Sequence, residues 1–190
     1  MTLNIQTAVE LPWLALAGFW LVTSFAAKTP VRRQPGISRM IHLLFMVAAF
    51  GLLFRPDMRV GPLGWRVLPV SPAIAYPGVA LTIAGAAFAF WARAMLGGNW
   101  SASVTVKENH SLVRSGPYRL VRHPIYTGCL IAMLGTAMVF GELGCFIALA
   151  IAIVAFWLKT RTEEDFMTAQ FGEDYIRYRS QVRRLVPFLL

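Results

Sequence analysis

Five long apolar stretches run along the chain, and short polar breaks separate them. A helix that crosses a lipid bilayer needs about 20 mostly apolar residues, within a range of about 17–25. Each stretch approaches this length and is predicted to form a helix; they cover residues 11–27, 39–54, 73–96, 125–140 and 143–159. The pattern therefore predicts an all-α integral membrane bundle of about five transmembrane helices.

The breaks between the stretches predict how the helices are joined. Only Gly141 and Glu142 separate the fourth stretch from the fifth, so these two helices are expected to form an antiparallel hairpin. The longest polar segment inside the chain, residues 99–124, precedes the fourth stretch. After Arg161 the chain is polar, with apolar residues at spacings of mostly three and four that Gly172 interrupts. This spacing predicts an amphipathic C-terminal helix that lies on the membrane or packs over the polar segment.

Composition and charge support a membrane protein and orient it. Hydrophobic residues make up 57% of the chain and charged residues only 14%, against about 45–50% and about 25% in soluble domains. The net charge of +9 could indicate a nucleic-acid partner, but the basic residues lie between the apolar stretches, so we expect none. With the N-terminus outside, only Arg55, Arg59 and Arg66 lie outside, and the other basic residues face the cytoplasm, as the positive-inside rule requires. The expected topology is N-out and C-in, with the 99–124 segment and the tail on the cytoplasmic face.

Residue usage also bears on other classes of function. Cys129 and Cys145 lie in apolar stretches without metal-ligand spacing, so we expect neither a disulfide framework nor a metal site. Almost no charged residue lies within the predicted spans, which disfavours a transport path. The first apolar stretch lacks a preceding basic region and a cleavage pattern, and is expected to be a retained helix rather than a signal peptide.

The first candidate for chemistry is the end of the 99–124 segment. Residues 114–126 contain three arginines, two tyrosines and His123, with a turn at residues 115–118 and a second break at Pro124. An interfacial belt of Arg and Tyr would have this composition. A small-molecule pocket would also explain the two breaks, because irregular backbone at membrane depth is tolerated where it lines a cavity. The helix that begins at Pro124 would favour an anionic group at its N-terminus.

The second candidate follows the fifth stretch, where Glu163, Glu164 and Asp165 stand beside Arg161 in a basic tail. The acids could simply lie in the first turn of a solvated helix. Alternatively they form a pocket wall, in which a carboxylate binds a ligand ammonium and Arg161 binds a carboxylate or phosphate.

Together, the two blocks resemble the isoprenylcysteine carboxyl methyltransferase family and its bacterial and archaeal relatives, which are grouped with phospholipid N-methyltransferases. Residues 110–128 match the pattern His-x-Leu-Val-x-x-Gly-x-Tyr-x-x-x-Arg-His-Pro-x-Tyr-x-Gly. Residues 161–188 match Arg-x-Glu-Glu, then Phe-Gly-x-x-Tyr-x-x-Tyr, then Pro-Phe. The resemblance covers roughly the C-terminal half of the chain, and the N-terminal half matches in hydropathy alone.

The resemblance implies a methyltransferase that uses S-adenosyl-L-methionine and releases S-adenosyl-L-homocysteine. It implies ten cofactor-binding residues: His110, Ser111, Leu112, Val113, Tyr118, His123, Pro124, Ile125, Tyr126 and Glu163. Glu163 would bind the cofactor's amino group, and Arg161 would meet the acceptor's carboxylate. Arg122 is a second candidate to aim that carboxylate, which is already ionised and needs no base. An amine acceptor would need one, and Glu164 is the nearest candidate.

The implied reaction is O-methylation of a lipophilic, isoprenylcysteine-like carboxylate at the cytoplasmic membrane face. The expected partners are thus a lipidated or small lipophilic substrate and membrane lipid, and the oligomeric state is left open. The resemblance also implies a bacterial inner membrane and one methyltransferase domain, with three spans in residues 1–98 and the cofactor-binding segment, hairpin and tail in residues 99–190. Three alternatives remain: a phosphatidylethanolamine N-methyltransferase, an NADPH-dependent membrane reductase, and a non-catalytic membrane subunit or small transporter.

Overall fold

The structure, a computed structural model, describes residues 4–24, 30–33, 36–97, 105–107 and 112–186. Its main elements are α-helices and one pair of short strands, with short 3-10 helices in the connections. In chain order these elements are α1 (Ile5–Ser24), β1 (Pro30–Arg33), α2 (Gly36–Phe54), α3 (Pro72–Leu96), β2 (Thr105–Lys107), α4 (Pro124–Phe140), α5 (Leu143–Phe171) and α6 (Glu173–Gln181).

Every predicted apolar stretch forms a helix over its described residues, and the all-α membrane fold is confirmed. α1, α2, α3 and α5 are long and apolar enough to cross a membrane. α4 has 17 residues, at the lower limit of the spanning range. The number of five spans and the N-out, C-in orientation stay predictions.

Two helix boundaries differ from the prediction. α1 begins at Ile5 rather than at residue 11, because the polar residues before Leu11 include no helix-breaking residue. α5 does not end near Lys159 but continues to Phe171, where Gly172 takes a positive φ of 51°. The segment after Lys159 contains no Gly or Pro before Gly172, so nothing interrupts the helix as its composition turns polar. The acids at residues 163–165 therefore lie in the middle of a helix, and not in its first turn.

α3 and α4 pack with their backbones in direct contact. A methyl group added at Gly85 would lie 2.4 Å from the Ala132 nitrogen, and one added at Gly135 would lie 2.4 Å from the Gly78 oxygen. Small residues permit this approach, which lipid alone would not drive. The buried Thr136 hydroxyl also accepts a hydrogen bond from the Trp13 indole at 3.0 Å. This interface fixes α4, which carries part of the first candidate block.

The α4–α5 turn closes one end of the bundle. Gly141 has a φ of 69° and accepts hydrogen bonds from the backbone of Val67 and Leu68. The Arg59 side chain is buried, forms an ion pair with Glu142 at 2.7 Å and donates to the Leu53 carbonyl at 2.9 Å. The connection between α2 and α3 is thereby fastened over the hairpin.

At the other end of the bundle, the chain after α6 returns to the start of α4. The Arg122 and His123 amides donate to the carbonyls of Arg183 and Arg184 at 2.8 and 3.1 Å. The Thr127 hydroxyl donates to the Leu185 carbonyl at 2.6 Å. These bonds bring the two candidate blocks together, although they lie far apart in sequence. The antiparallel pairing of β1 with β2 likewise joins the α1–α2 and α3–α4 connections.

Candidate functional site

A buried carboxylate lies at the centre of the contact between the two blocks. Glu164, on α5, is 2% exposed. Its oxygens accept from Arg122 at 2.7 Å and from Arg184 at 2.7 Å, and the His123 Nε2 lies 3.2 Å away. Arg122 also donates to the Arg179 and Val182 carbonyls. With three positively charged neighbours the Glu164 carboxylate remains ionised.

His123 joins this carboxylate to a second one. Its Nδ1 lies 3.3 Å from Glu163 and its Nε2 lies 3.2 Å from Glu164. A ring with a carboxylate at each nitrogen is satisfied only when both nitrogens carry a proton. Burial disfavours the charged ring, but the hydrogen bonds to the two carboxylates outweigh burial and raise the pKa of His123 above its usual value. The imidazolium is therefore a fixed positive charge between two acids.

Glu163 is the more accessible of the two acids. Its side chain is 21% exposed, and it accepts the Tyr126 hydroxyl at 2.5 Å. The Tyr126 ring stacks on Phe156 with centroids 4.7 Å apart. The Lys159 ammonium lies over the same ring, 5.5 Å from its centroid. Glu163 thus stands at the junction of an aromatic stack and a charged cluster.

Two cavities flank α5 near this cluster. A polar cavity of about 480 Å³ is lined by five arginines, two acids and one tryptophan: Arg122, Arg161, Arg179, Arg183, Arg184, Glu164, Asp165 and Trp157. An apolar groove of about 650 Å³ runs between α1, α2, α4 and α5, and its lining includes Trp13, Trp20, Phe54, Tyr126, Phe156 and Lys159. Both volumes fall within the range of small-molecule sites, about 300–1,000 Å³. A polar site and an apolar site therefore lie on either side of one helix.

The chain is similar in sequence to known methyltransferases. The model of the isoprenylcysteine carboxyl methyltransferase family matches residues 78–169. Over these residues the chain is similar to that family. The chain is 36% identical over 87 residues to protein-S-isoprenylcysteine O-methyltransferase A of Arabidopsis thaliana, covering 45% of this chain and 44% of the relative. It is 34% identical over 96 residues to the protein-S-isoprenylcysteine O-methyltransferase of Schizosaccharomyces pombe, covering 49% of this chain and 41% of the relative.

The matches to these methyltransferases thus span less than half of each relative's length. The structure is also similar to that of the eukaryotic intramembrane Ras methyltransferase ICMT, with a TM-score of 0.54, 23% identity, and coverage of 82% of this chain and 54% of that one. This similarity shows a shared membrane fold. The relatives are eukaryotic, so they give no support to a bacterial inner membrane.

The structure brings together five of the residues that the family pattern singled out: Arg122, His123, Tyr126, Glu163 and Glu164. Pro124 is buried at the start of α4, and Ile125 lines the apolar groove. Leu112 and Val113 are half-buried before the turn. His110 and Ser111 lie outside the described residues.

Two residues of the pattern stand apart from this cluster. The buried Tyr118 hydroxyl donates to the Ala92 carbonyl on α3 at 3.3 Å, so it anchors the turn to that helix. Arg161 is exposed beside the polar cavity, with its guanidinium 5.5 Å from the centre of the Trp157 ring.

Sequence reasoning missed two cations of the site. Arg184 was counted among the charges that orient the protein, yet it pairs with Glu164. Lys159 was taken as the end of a span, yet it lies over Tyr126. Lys159 precedes Glu163 by four residues, and on a helix this spacing places both side chains on one face. That spacing could have identified Lys159 once the helix was known to continue.

Proposed function

We propose that the protein transfers a methyl group from S-adenosyl-L-methionine to the carboxylate of an isoprenylcysteine-like acceptor at the cytoplasmic face of the membrane. The observation that carries the proposal is the meeting of the apolar groove with the charged cluster at Tyr126 and Glu163. A lipidic chain in the groove would place its polar end beside that cluster. In this proposal residues 1–98 supply spans and residues 99–190 supply the cofactor-binding segment of a single domain.

The residues present fit the proposed cofactor, which when bound supplies a methyl group activated on a sulfonium. Glu163 keeps part of its carboxylate accessible and suits an amino group. Arg161, Arg179 and Arg183 line the polar cavity and suit a carboxylate. Methyl transfer is an in-line displacement, so the chief task of these groups is to position the reactants.

Glu164 and Arg122 are assigned positioning roles. Arg122 already bonds to Glu164 and to two carbonyls, so it holds the tail against α4. Glu164 holds His123, which in turn orients Glu163. A carboxylate with three cationic neighbours is a weak base, which weighs against Glu164 deprotonating an amine acceptor. A carboxylate acceptor is already ionised and needs no base, so the surroundings of Glu164 favour a carboxylate acceptor over an amine.

Binding of the cofactor tests the first half of the proposal. Purified protein in detergent is expected to bind S-adenosyl-L-methionine by calorimetry, and Glu163→Gln is expected to weaken binding at least about tenfold, because it removes the charge that holds the amino group. Glu173→Gln, an exposed acid on α6, is the matched control and should bind normally. Equal affinities for the wild type and Glu163→Gln would contradict the assignment.

The nature of the product tests the second half. Membranes containing the protein are incubated with N-acetyl-S-farnesylcysteine as the acceptor and with cofactor labelled in its methyl group. We expect label in base-labile methyl esters of N-acetyl-S-farnesylcysteine. Label in choline-type headgroups instead would identify a phospholipid N-methyltransferase and overturn the carboxylate acceptor.

A further inference from the structure

We propose that Lys159, on the groove face of α5, binds the carboxylate of the lipidic acceptor, and that Arg161 serves the polar cavity instead. This inference rests on the proposed function and deepens it. It replaces the assignment of Arg161 to the acceptor with one drawn from the position of each side chain. It also names the acceptor class: a lipid chain that ends in an anion.

The two faces of α5 separate the two cations. Side chains two positions apart on a helix do not face each other, whereas those three or four apart do. Phe156, Lys159 and Glu163 follow the second spacing and lie toward Tyr126. Trp157, Arg161, Glu164 and Asp165 do so as well and line the polar cavity. A chain lying in the apolar groove therefore meets Lys159, while Arg161 lies on another side of the helix.

The charges along the groove are arranged for an anion at one end. Glu10 and Lys159 are the charged residues of its lining in the described part of the chain. Glu10 precedes Trp20 by ten residues on α1, roughly 15 Å along the axis at 1.5 Å per residue. Lys159 lies over Tyr126 and attracts the Glu163 carboxylate, which also has His123 and Tyr126 as partners. An incoming carboxylate at that end meets positive charge at Lys159.

A second polar group lines the same groove. The Trp20 indole nitrogen is buried and has no hydrogen-bond acceptor among the described residues. A buried donor without a partner is costly, and a rotation of the ring would be needed to present it to an oxygen in the groove. The groove thus combines apolar walls for a single chain with a cation at one end. A headgroup that ends in an ammonium would meet Lys159 unfavourably.

The test compares two probes that differ only in charge: N-acetyl-S-farnesylcysteine and its carboxamide. Binding is measured by calorimetry in detergent with S-adenosyl-L-homocysteine present, so that no turnover occurs. The wild type is expected to bind the acid at least about tenfold more tightly than the amide. Lys159→Met is expected to abolish this preference, and Lys159→Arg is expected to retain it. Arg161→Met should keep it as well.

Arg177→Met, an exposed residue of α6 paired with Asp174, is the control for general loss of positive charge. Retained preference in Lys159→Met, or its loss in Arg161→Met alone, would overturn the proposal. If the preference depends on Lys159 but no methyl ester forms in membranes, the anion site stands and methyl transfer fails. If the ester forms while Lys159→Met still prefers the acid, methyl transfer stands and the anion site fails. A thermal unfolding midpoint in detergent close to that of the wild type verifies that each variant is folded.

Discussion

Each end of the apolar part of α5 is flanked by an acid that pairs with a buried arginine, but the two ends are built differently. Where α5 begins, Glu142 meets one cation, Arg59, whose guanidinium also donates to backbone carbonyls and to Cys145. After the apolar part of α5, Glu164 contacts Arg122, Arg184 and His123 together. The first arrangement is one anion to one cation, and the second has an excess of cations.

This difference separates a structural contact from a site. The excess at Glu164 continues into the polar cavity, where five arginines face two acids. A buried ion pair with matched charges needs nothing further, whereas a concentration of like charge is unfavourable until an anion arrives. A surplus of charge beside a cavity, rather than a buried ion pair as such, therefore indicates where a ligand binds.

The largest expected effect is at the second end. Glu164→Gln leaves Arg122, the partly buried Arg184 and His123 without their anion, and breaking a buried pair in this way costs about 3–5 kcal/mol. We expect a marked fall in the thermal unfolding midpoint in detergent, with loss of binding of S-adenosyl-L-methionine. Glu173→Gln is the exposed control and should unfold like the wild type. A Glu164→Gln protein of wild-type stability would show that the cluster is not the fastening we describe.

A smaller effect is expected at the first end, since Glu142 is 24% exposed. Arg59→Met should destabilise the protein by about 3 kcal/mol, the lower end for a buried pair, while the folded fraction still binds the cofactor. Replacing both partners, Arg59→Met with Glu142→Leu, should restore most of the stability, because no unpaired charge remains. The comparison fails if Arg59→Met abolishes binding in protein that is shown to be folded.

The smallest effect is a dependence on pH confined to the second end. The carboxylates raise the pKa of His123 in the folded protein, so its contribution is complete below the usual pKa of about 6.5. It is lost as the pH rises through the raised value. The unfolding midpoint should therefore fall between neutral and alkaline pH, and His123→Gln should remove that slope. An identical slope in wild type and His123→Gln would place the titration elsewhere.

Hydropathy was sufficient to predict the bundle, because lipid requires long apolar helices and tight turns between them. The close interface of α3 and α4 at Gly85 and Gly135 is explained by the small residues there. The family pattern in residues 110–128 and 161–188 selected Glu163, Tyr126 and His123, which the structure places in contact.

The remaining features depend on tertiary contacts that no local pattern encodes. The continuation of α5 past Lys159 decides which cation lies on which face, and a fall in hydropathy was misread as the end of the helix. The partner of Glu164 from the tail, Arg184, depends on backbone pairing between residues 121–123 and 183–185. Pairing of this kind is set by the fold of the tail and not by residue type.

The length of α5 sets the depth at which the proposed reaction takes place. At 1.5 Å per residue, 20 residues from Leu143 cover the roughly 30 Å of hydrocarbon and end just before Glu163. A farnesylated acceptor, as proposed, would rest with its polar end at this level and would reach the site by lateral diffusion without leaving the bilayer. For such an enzyme the relevant substrate concentration is its mole fraction in the membrane. Added inert lipid would then slow the reaction at constant bulk substrate.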